Sequence, residues 1–257
     1  MAVMMLAMAP TVLMLHGFTN TGGSWDPVVA ALGERYRAIA PDIRGHGSAS
    51  ELRPVTLEAV IADLDAVAPD RFTLVGYSQG GRIALHAGLA LGERVERLVL
   101  IGASPGIADP VERAARRAAD EALAGEIEAS SIEEFAARWA ATPVLADQPE
   151  EVRAAAHADR LRSTPTGLAA ALRGLGTGAL PSLWRRLAEL PMPVVLIAGE
   201  RDERFRAIGE RMRRETPCSK LIVVAGAGHA VHLEAPEQVA GEIAEGGESA
   251  GVRGSEG

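Results

Sequence analysis

The sequence predicts an α/β architecture: a mostly parallel sheet with helices on both faces and an inserted helical cap. Three observations predict it. Short aliphatic or β-branched runs alternate with helical stretches along the chain. Those runs are apolar on consecutive residues rather than on every second one, the pattern of strands covered on both faces. Between residues 109 and 189 the strand signal disappears, and Ala, Arg, Glu and Leu dominate.

Taken in order, the apolar start, residues 1–9, lacks a basic leading segment and is too short to span a bilayer. It therefore reads as a first strand rather than a signal peptide. Further strands are predicted over residues 11–15, 36–40, 72–75, 98–101, 194–198 and 221–224. Within the insertion, residues 111–124, 132–141, 150–161, 167–174 and 183–190 read as helices, punctuated by Pro143, Pro149, Pro165 and Pro181. Residues 246–257 are mostly Gly, Ser and Glu, and a disordered tail is expected there. The expected division is a core over 1–108 and 190–245, a cap over 109–189, and the tail.

Composition narrows the function classes. A chain of 257 residues suits one large core with an insertion, and 47% hydrophobic against 23% charged residues excludes disorder of the whole chain. A formal charge of -8 would repel nucleic-acid phosphates and anionic membrane surfaces, so no nucleic acid and no membrane is expected as a partner. Cys218 is the only cysteine, which rules out an internal disulfide and a cysteine-built metal site and fits a reducing cytoplasm. Lys220 is the only lysine; coding bias accounts for this as well as selection for guanidinium forks does.

Gly76-Tyr77-Ser78-Gln79-Gly80-Gly81 follows a predicted strand and precedes the helical run 82–91. This is G-x-S-x-G at a strand-to-helix elbow, where glycines flanking the serine remove the Cβ atoms that would clash. Serine needs an imidazole to take its proton, and the imidazole needs an acid to fix its tautomer. Asp202 after the strand 194–198, and His229 after the strand 221–224, supply both in the order Ser, Asp, His. His232 competes with His229, but Gly226-Ala227-Gly228 gives His229 the flexible approach an active-site loop needs. Glu200 and Asp42 compete with Asp202; Glu200 is at a strand edge and Asp42 lies in a polar turn. Two backbone N–H groups, those of Phe18 and Gln79, are the expected oxyanion donors.

These stretches together resemble the α/β-hydrolase superfamily over the whole chain except the tail. Within it the chain resembles the 2-succinyl-6-hydroxy-2,4-cyclohexadiene-1-carboxylate synthases of menaquinone biosynthesis. The resemblance is carried by Leu15-His16-Gly17-Phe18-Thr19, Tyr77 and Arg82 around the elbow, Gly102-Ala103-Ser104-Pro105-Gly106, the 113–120 run, Leu161-Arg162-Ser163, Gly199-Glu200-Arg201-Asp202-Glu203-Arg204-Phe205 and Ala227-Gly228-His229-Ala230. It implies an α/β-hydrolase fold and a lyase that expels pyruvate from a cyclohexene bearing several carboxylates, with the serine as base and no cofactor. Two departures are visible: the segment before the first motif is short, which reduces the usual opening hairpin, and Gln79 stands where methionine is more common.

An anionic substrate is also what the residues suggest by themselves. Arg82 opens the elbow helix beside the serine, and helix N-termini favour anions. Arg113, Arg116 and Arg117 crowd the first cap helix, and Arg162 sits where another cap segment could face the pocket. Guanidinium forks bind carboxylates bidentately, so Arg82, Arg116 and Arg162 are the expected contacts to a small-molecule polycarboxylate, with Arg117 the alternative to Arg116. Each cap arginine could equally pair with Glu112, Asp120 or Glu121 at helical spacing. Tyr77 and Trp139 are taken as pocket residues. Two other readings share the sequence: a serine hydrolase of esters or of carbon–carbon bonds in ring-cleavage products, and a ligand-binding module without chemistry. The number of arginines aimed at Ser78 separates lyase from hydrolase, and the intact triad argues against the module. The oligomeric state is open.

Overall fold

The computed structural model describes residues 9–142, 145 and 148–248. The expected strand over 1–9 therefore lies outside the described residues up to position 8.

The chain begins with β1 (Thr11–Leu15), crosses through α1 (Asp26–Leu32) to β2 (Arg37–Ile39), then passes through α2 (Leu57–Val67) to β3 (Phe72–Tyr77). Helix α3 (Gln79–Leu91) leads to β4 (Val95–Ile101). Four helices follow with no strand among the described residues: α4 (Pro110–Glu128), α5 (Ile132–Ala140), α6 (Glu150–Arg160) and α7 (Pro165–Leu175). The chain then returns through β5 (Val194–Gly199), α8 (Glu203–Glu215), β6 (Ser219–Val224), the short α9 (Val231–Glu234) and α10 (Pro236–Glu248). The strands form one six-stranded sheet in the order β2-β1-β3-β4-β5-β6, every pair parallel. The order reverses between β1 and β3, the switch point at which α/β sheets open a crevice at their strand C-termini.

Successive strand residues feed opposite cores. Leu13, Leu74, Leu98 and Leu196 pack with α2, α3 and α8 on one face. Val12, Met14, Val75, Val99 and Val195 pack with Trp25, Val28, Val239 and Ile243 on the other. Burial on both sides is why each strand reads as an unbroken apolar run. The insertion has a small core of its own, Ala124, Ile127, Phe135, Leu168 and Leu172.

Local signals set most element ends. Asp109 caps α4 by accepting from the Val111 and Glu112 amides, with Pro110 at the first helical position. Ser131 and Glu134 form a reciprocal capping box on α5. Three expectations need correction. Residues 184–189 are a 3-10 helix, not an α-helix, in a stretch confined between Pro181 and Pro191. Strand β4 begins at Val95, three residues early, because Arg97 is buried with its guanidinium donating to the Ile243 carbonyl. Helix α10 runs to Glu248, so the expected tail from 246 starts inside it; residues 249–257 lie outside the described residues. Among the described residues no helix is long and apolar enough to cross a membrane.

Burial lowers the pKa of four histidines in this frame: His46 and His232 to about 3, His86 to about 4, and His16 in the same direction. An unfolded histidine, near 6.5, takes up a proton at a pH where these folded ones do not, so stability rises with pH between the two values. Urea unfolding is therefore expected to lose roughly 2 kcal/mol for each of His46 and His232 between pH 6.5 and pH 5. His232→Phe should remove about one proton from that slope. An unfolding free energy flat across the window would contradict this.

Candidate active site

Strand β3 ends at the elbow. Ser78 has φ 49° and ψ −107°, a conformation rare for residues with a Cβ. The elbow is packed backbone to backbone: a Cβ on Gly80 would stand 2.2 Å from the Leu15 carbonyl oxygen, and one on Gly76 would stand 2.5 Å from that of Gly80. Only glycine fits at either place. Ser78 occupies the N-cap of α3, yet its side chain caps nothing and its Oγ lies 3.2 Å from His229 Nε2.

His229 sits in the loop after β6. Its Nδ1 lies 2.6 Å from Asp202 Oδ2, and both side chains are buried. A carboxylate only accepts, so Nδ1 carries the proton and Nε2 faces the serine hydroxyl as an acceptor. Asp202, after β5, divides its oxygens: Oδ2 holds the imidazole while Oδ1 accepts from the Phe205 amide and caps α8. Gly102, at φ 53°, clears the ring, since a Cβ there would meet His229 Cε1 at 2.9 Å. The loop itself is pinned by Glu234, which accepts from the Gly228 amide at 2.8 Å and from Arg201 at 2.9 Å.

Each rival falls into another role. His232 is fully buried with neither ring nitrogen hydrogen-bonded, stacked 4.2 Å from the Tyr77 ring and 4.8 Å from Trp25. Glu200 holds the Gly226 amide, and Asp42 holds the amides of Gly22 and Ser48.

Opposite the triad lies the loop after β1. His16 donates from Nδ1 to the Gly17 carbonyl and accepts at Nε2 from the Ile43 amide, a neutral tautomer that burial favours. Among the described residues neither the Phe18 nor the Gln79 amide has a protein acceptor, which leaves both N–H groups for a ligand. Thr19 follows at φ 73°.

The cavity at Ser78 is lined by Phe18, Thr19, Tyr77, Trp139, Arg160 and His229, with Asn20, Gln148 and several apolar side chains completing it. Burial pushes the Tyr77 hydroxyl pKa up, so it stays a neutral donor. Arg160, the last residue of α6, is buried; its Nε donates to Thr19 Oγ1 at 3.2 Å and its Nη1 has no partner. Burial lowers its pKa. It is the residue the sequence reading missed.

The expected arginines stand elsewhere. Arg162 is not among the cavity's lining residues; its side chain is 56% exposed and turned to Thr21 and Asp159, because two residues along a helix end rotate it away from Arg160. Arg116 is paired with the buried Asp120 at 2.7 Å, the helical i,i+4 partner, and also lies outside the lining. Arg82 is outside it too: it is buried in the first turn of α3 with its Nε unpartnered. Burial and then the Arg116 charge lower its pKa to about 10, against the pull of Asp120.

The comparisons with known proteins agree on one family. The model of the alpha/beta hydrolase family matches residues 12–242. The chain is 38% identical over 237 residues to a "Putative 2-succinyl-6-hydroxy-2,4-cyclohexadiene-1-carboxylate synthase" of Bacillus subtilis, covering 88% of this chain and 85% of the relative. It is 31% identical over 244 residues to the synthase of that name from Salmonella paratyphi C, covering 92% and 93%. The solved structure of MenH from S. aureus superposes with a TM-score of 0.87 at 30% identity, covering 93% of this chain and 94% of that one.

Proposed function

The chain belongs to the alpha/beta hydrolase family, in the branch that holds the 2-succinyl-6-hydroxy-2,4-cyclohexadiene-1-carboxylate synthases, and from that premise we propose that it is a carbon–oxygen lyase of menaquinone biosynthesis. Its substrate is 2-succinyl-5-enolpyruvyl-6-hydroxy-3-cyclohexene-1-carboxylate, and its products are the cyclohexadiene and pyruvate. The observation that carries the reading is the hydrogen-bonded Ser78–His229–Asp202 chain opening onto a cavity that holds the buried, half-partnered guanidinium of Arg160.

The ring C2–H lies next to the succinyl ketone, which makes it the acidic proton. His229 Nε2 accepts the Ser78 hydroxyl proton as Oγ takes the one on C2. Negative charge passes to the ketone oxygen, where the Phe18 and Gln79 N–H groups stabilise it. The electron pair then closes C2=C3, the C3=C4 pair moves to C4=C5, and the C5–O bond breaks. The departing enolpyruvate regains a proton and tautomerises to pyruvate. Asp202 stabilises the imidazolium between the two transfers. Arg160 holds a substrate carboxylate, the role given to Arg162 by sequence alone.

A second reading has one observation in its favour: a single arginine in the Ser78 cavity also suits a serine hydrolase of esters. Purified protein and the polycarboxylate substrate decide between them, with pyruvate followed through lactate dehydrogenase and NADH. One pyruvate per ring diene formed is expected. No pyruvate, alongside turnover of simple esters, overturns the lyase.

A further inference from the structure

Between the cap and the loop that carries the Phe18 amide there is a dense set of bonds that the chemistry above does not use. Asp159, the penultimate residue of α6, is only 12% exposed at its side chain. It accepts from the Thr21 amide at 2.8 Å, from the Thr21 hydroxyl, and from Asn20 Nδ2 at 3.4 Å. Its remaining charge neighbour, Arg162, is 3.6 Å away and also donates to Thr21 Oγ1. The next residue, Arg160, reaches back to Thr19. Two consecutive residues of one cap helix thus grip residues 19–21, directly after the Phe18 donor and across the strained Thr19.

A surface ion pair alone would not require this arrangement. Arg162 is mostly exposed and contributes little to Asp159 by itself. The carboxylate instead terminates a backbone amide and a hydroxyl of the core, charge-assisted bonds that fix direction as well as energy. On the core side the same loop is fixed by His16 and by the Asn20 amide donating to the Gly17 carbonyl at 3.1 Å. Asp159 closes the other side.

We infer that Asp159 is a positioning residue that locks the oxyanion loop to the cap, so that the Phe18 N–H is aimed only while α6 is seated on the core. The inference rests on the oxyanion role given above to Phe18. Oxyanion donors act by being fixed before charge develops, and a small misplacement is felt in kcat rather than in substrate affinity.

Two readouts test it. One is pyruvate release; the other is the rate at which diethyl p-nitrophenyl phosphate labels Ser78. In the labelling Oγ–P forms, the P–O bond to p-nitrophenolate breaks, and the hydroxyl proton passes to His229. The phosphoryl oxygen needs the oxyanion donors, while the reagent carries no carboxylate. Asp159→Ala is expected to lower kcat about tenfold with KM within about threefold, and to slow labelling by a similar factor. Asp159→Asn, which still accepts from Thr21, should recover most of both. Thr21→Val should cost less, and its loss should vanish in the Asp159→Ala background, as coupled partners require. Should Asp159→Ala fail to fold, Asp159→Asn and Thr21→Val with their double variant carry the same cycle. Wild-type labelling rates in a folded Asp159→Ala, or losses that simply add with Thr21→Val, overturn the proposal. Wild-type protein that releases no pyruvate would overturn the lyase reading alone, since labelling still reports on Asp159.

Discussion

Ser78→Ala, His229→Ala and Asp202→Asn are each expected to lower kcat for pyruvate release by at least about two orders of magnitude, because the three side chains move one proton as a unit. The geometry says why each loss is severe. Without Ser78 nothing basic reaches the ring carbon, since Oγ is the atom that meets the substrate and His229 Nε2 stands 3.2 Å behind it. Asp202→Asn replaces a pure acceptor at 2.6 Å from Nδ1 with a group that can donate, which permits the wrong tautomer. That variant keeps an oxygen for the Phe205 amide, so the cap of α8 and the fold survive. His232→Ala is the internal control: its ring touches Tyr77 and Trp25 and no hydrogen-bonding partner, so it should reduce stability with a mild effect on kcat. A crippled His232→Ala with an active His229→Ala would reverse the assignment.

Much of this centre was legible in the sequence because its logic is local. G-x-S-x-G reports a turn that only glycine permits, and the distances at Gly76 and Gly80 are the physical content of that motif. Asp202 and His229 each follow a strand, so strand recognition places them at the same sheet edge. The cap was legible as helices but not as faces. Along α6 the buried positions are Ala156 and Arg160, four apart on one face. Following that period rather than the family motif would have chosen Arg160 over Arg162. Spacing alone could not show which acid takes Arg116, because Glu112 and Asp120 both stand four residues from it. Nor could the sequence reveal Asp159 or Glu234: their partners, Thr21 and Gly228, meet them only after the loops are folded against the core.

Arg160→Ala should cost roughly 1.5 to 3 kcal/mol in kcat/KM for the polycarboxylate, the range for a charge-assisted bond to a carboxylate. The guanidinium is already desolvated and one nitrogen has no partner, so a carboxylate gains the bond without first stripping water from the arginine. Removing it forfeits that bond, while Thr19 Oγ1 loses only one donor. Arg160→Lys should recover only part, because a point charge cannot serve Thr19 and the substrate through one planar fork. Arg116→Ala should instead be read mainly as lost stability, for it leaves the buried Asp120 carboxylate with the Gly178 amide as its hydrogen-bond donor. Arg162→Ala, exposed and outside the cavity lining, should change kcat/KM less than about threefold. A neutral p-nitrophenyl ester is the control, and its turnover, where there is any, should not respond to Arg160→Ala beyond the small effect of loosening Thr19. If that ester is turned over faster than the polycarboxylate and Arg160→Ala leaves both rates unchanged, the arginine is a structural tie between α6 and the core. The serine hydrolase reading then takes the place of the lyase.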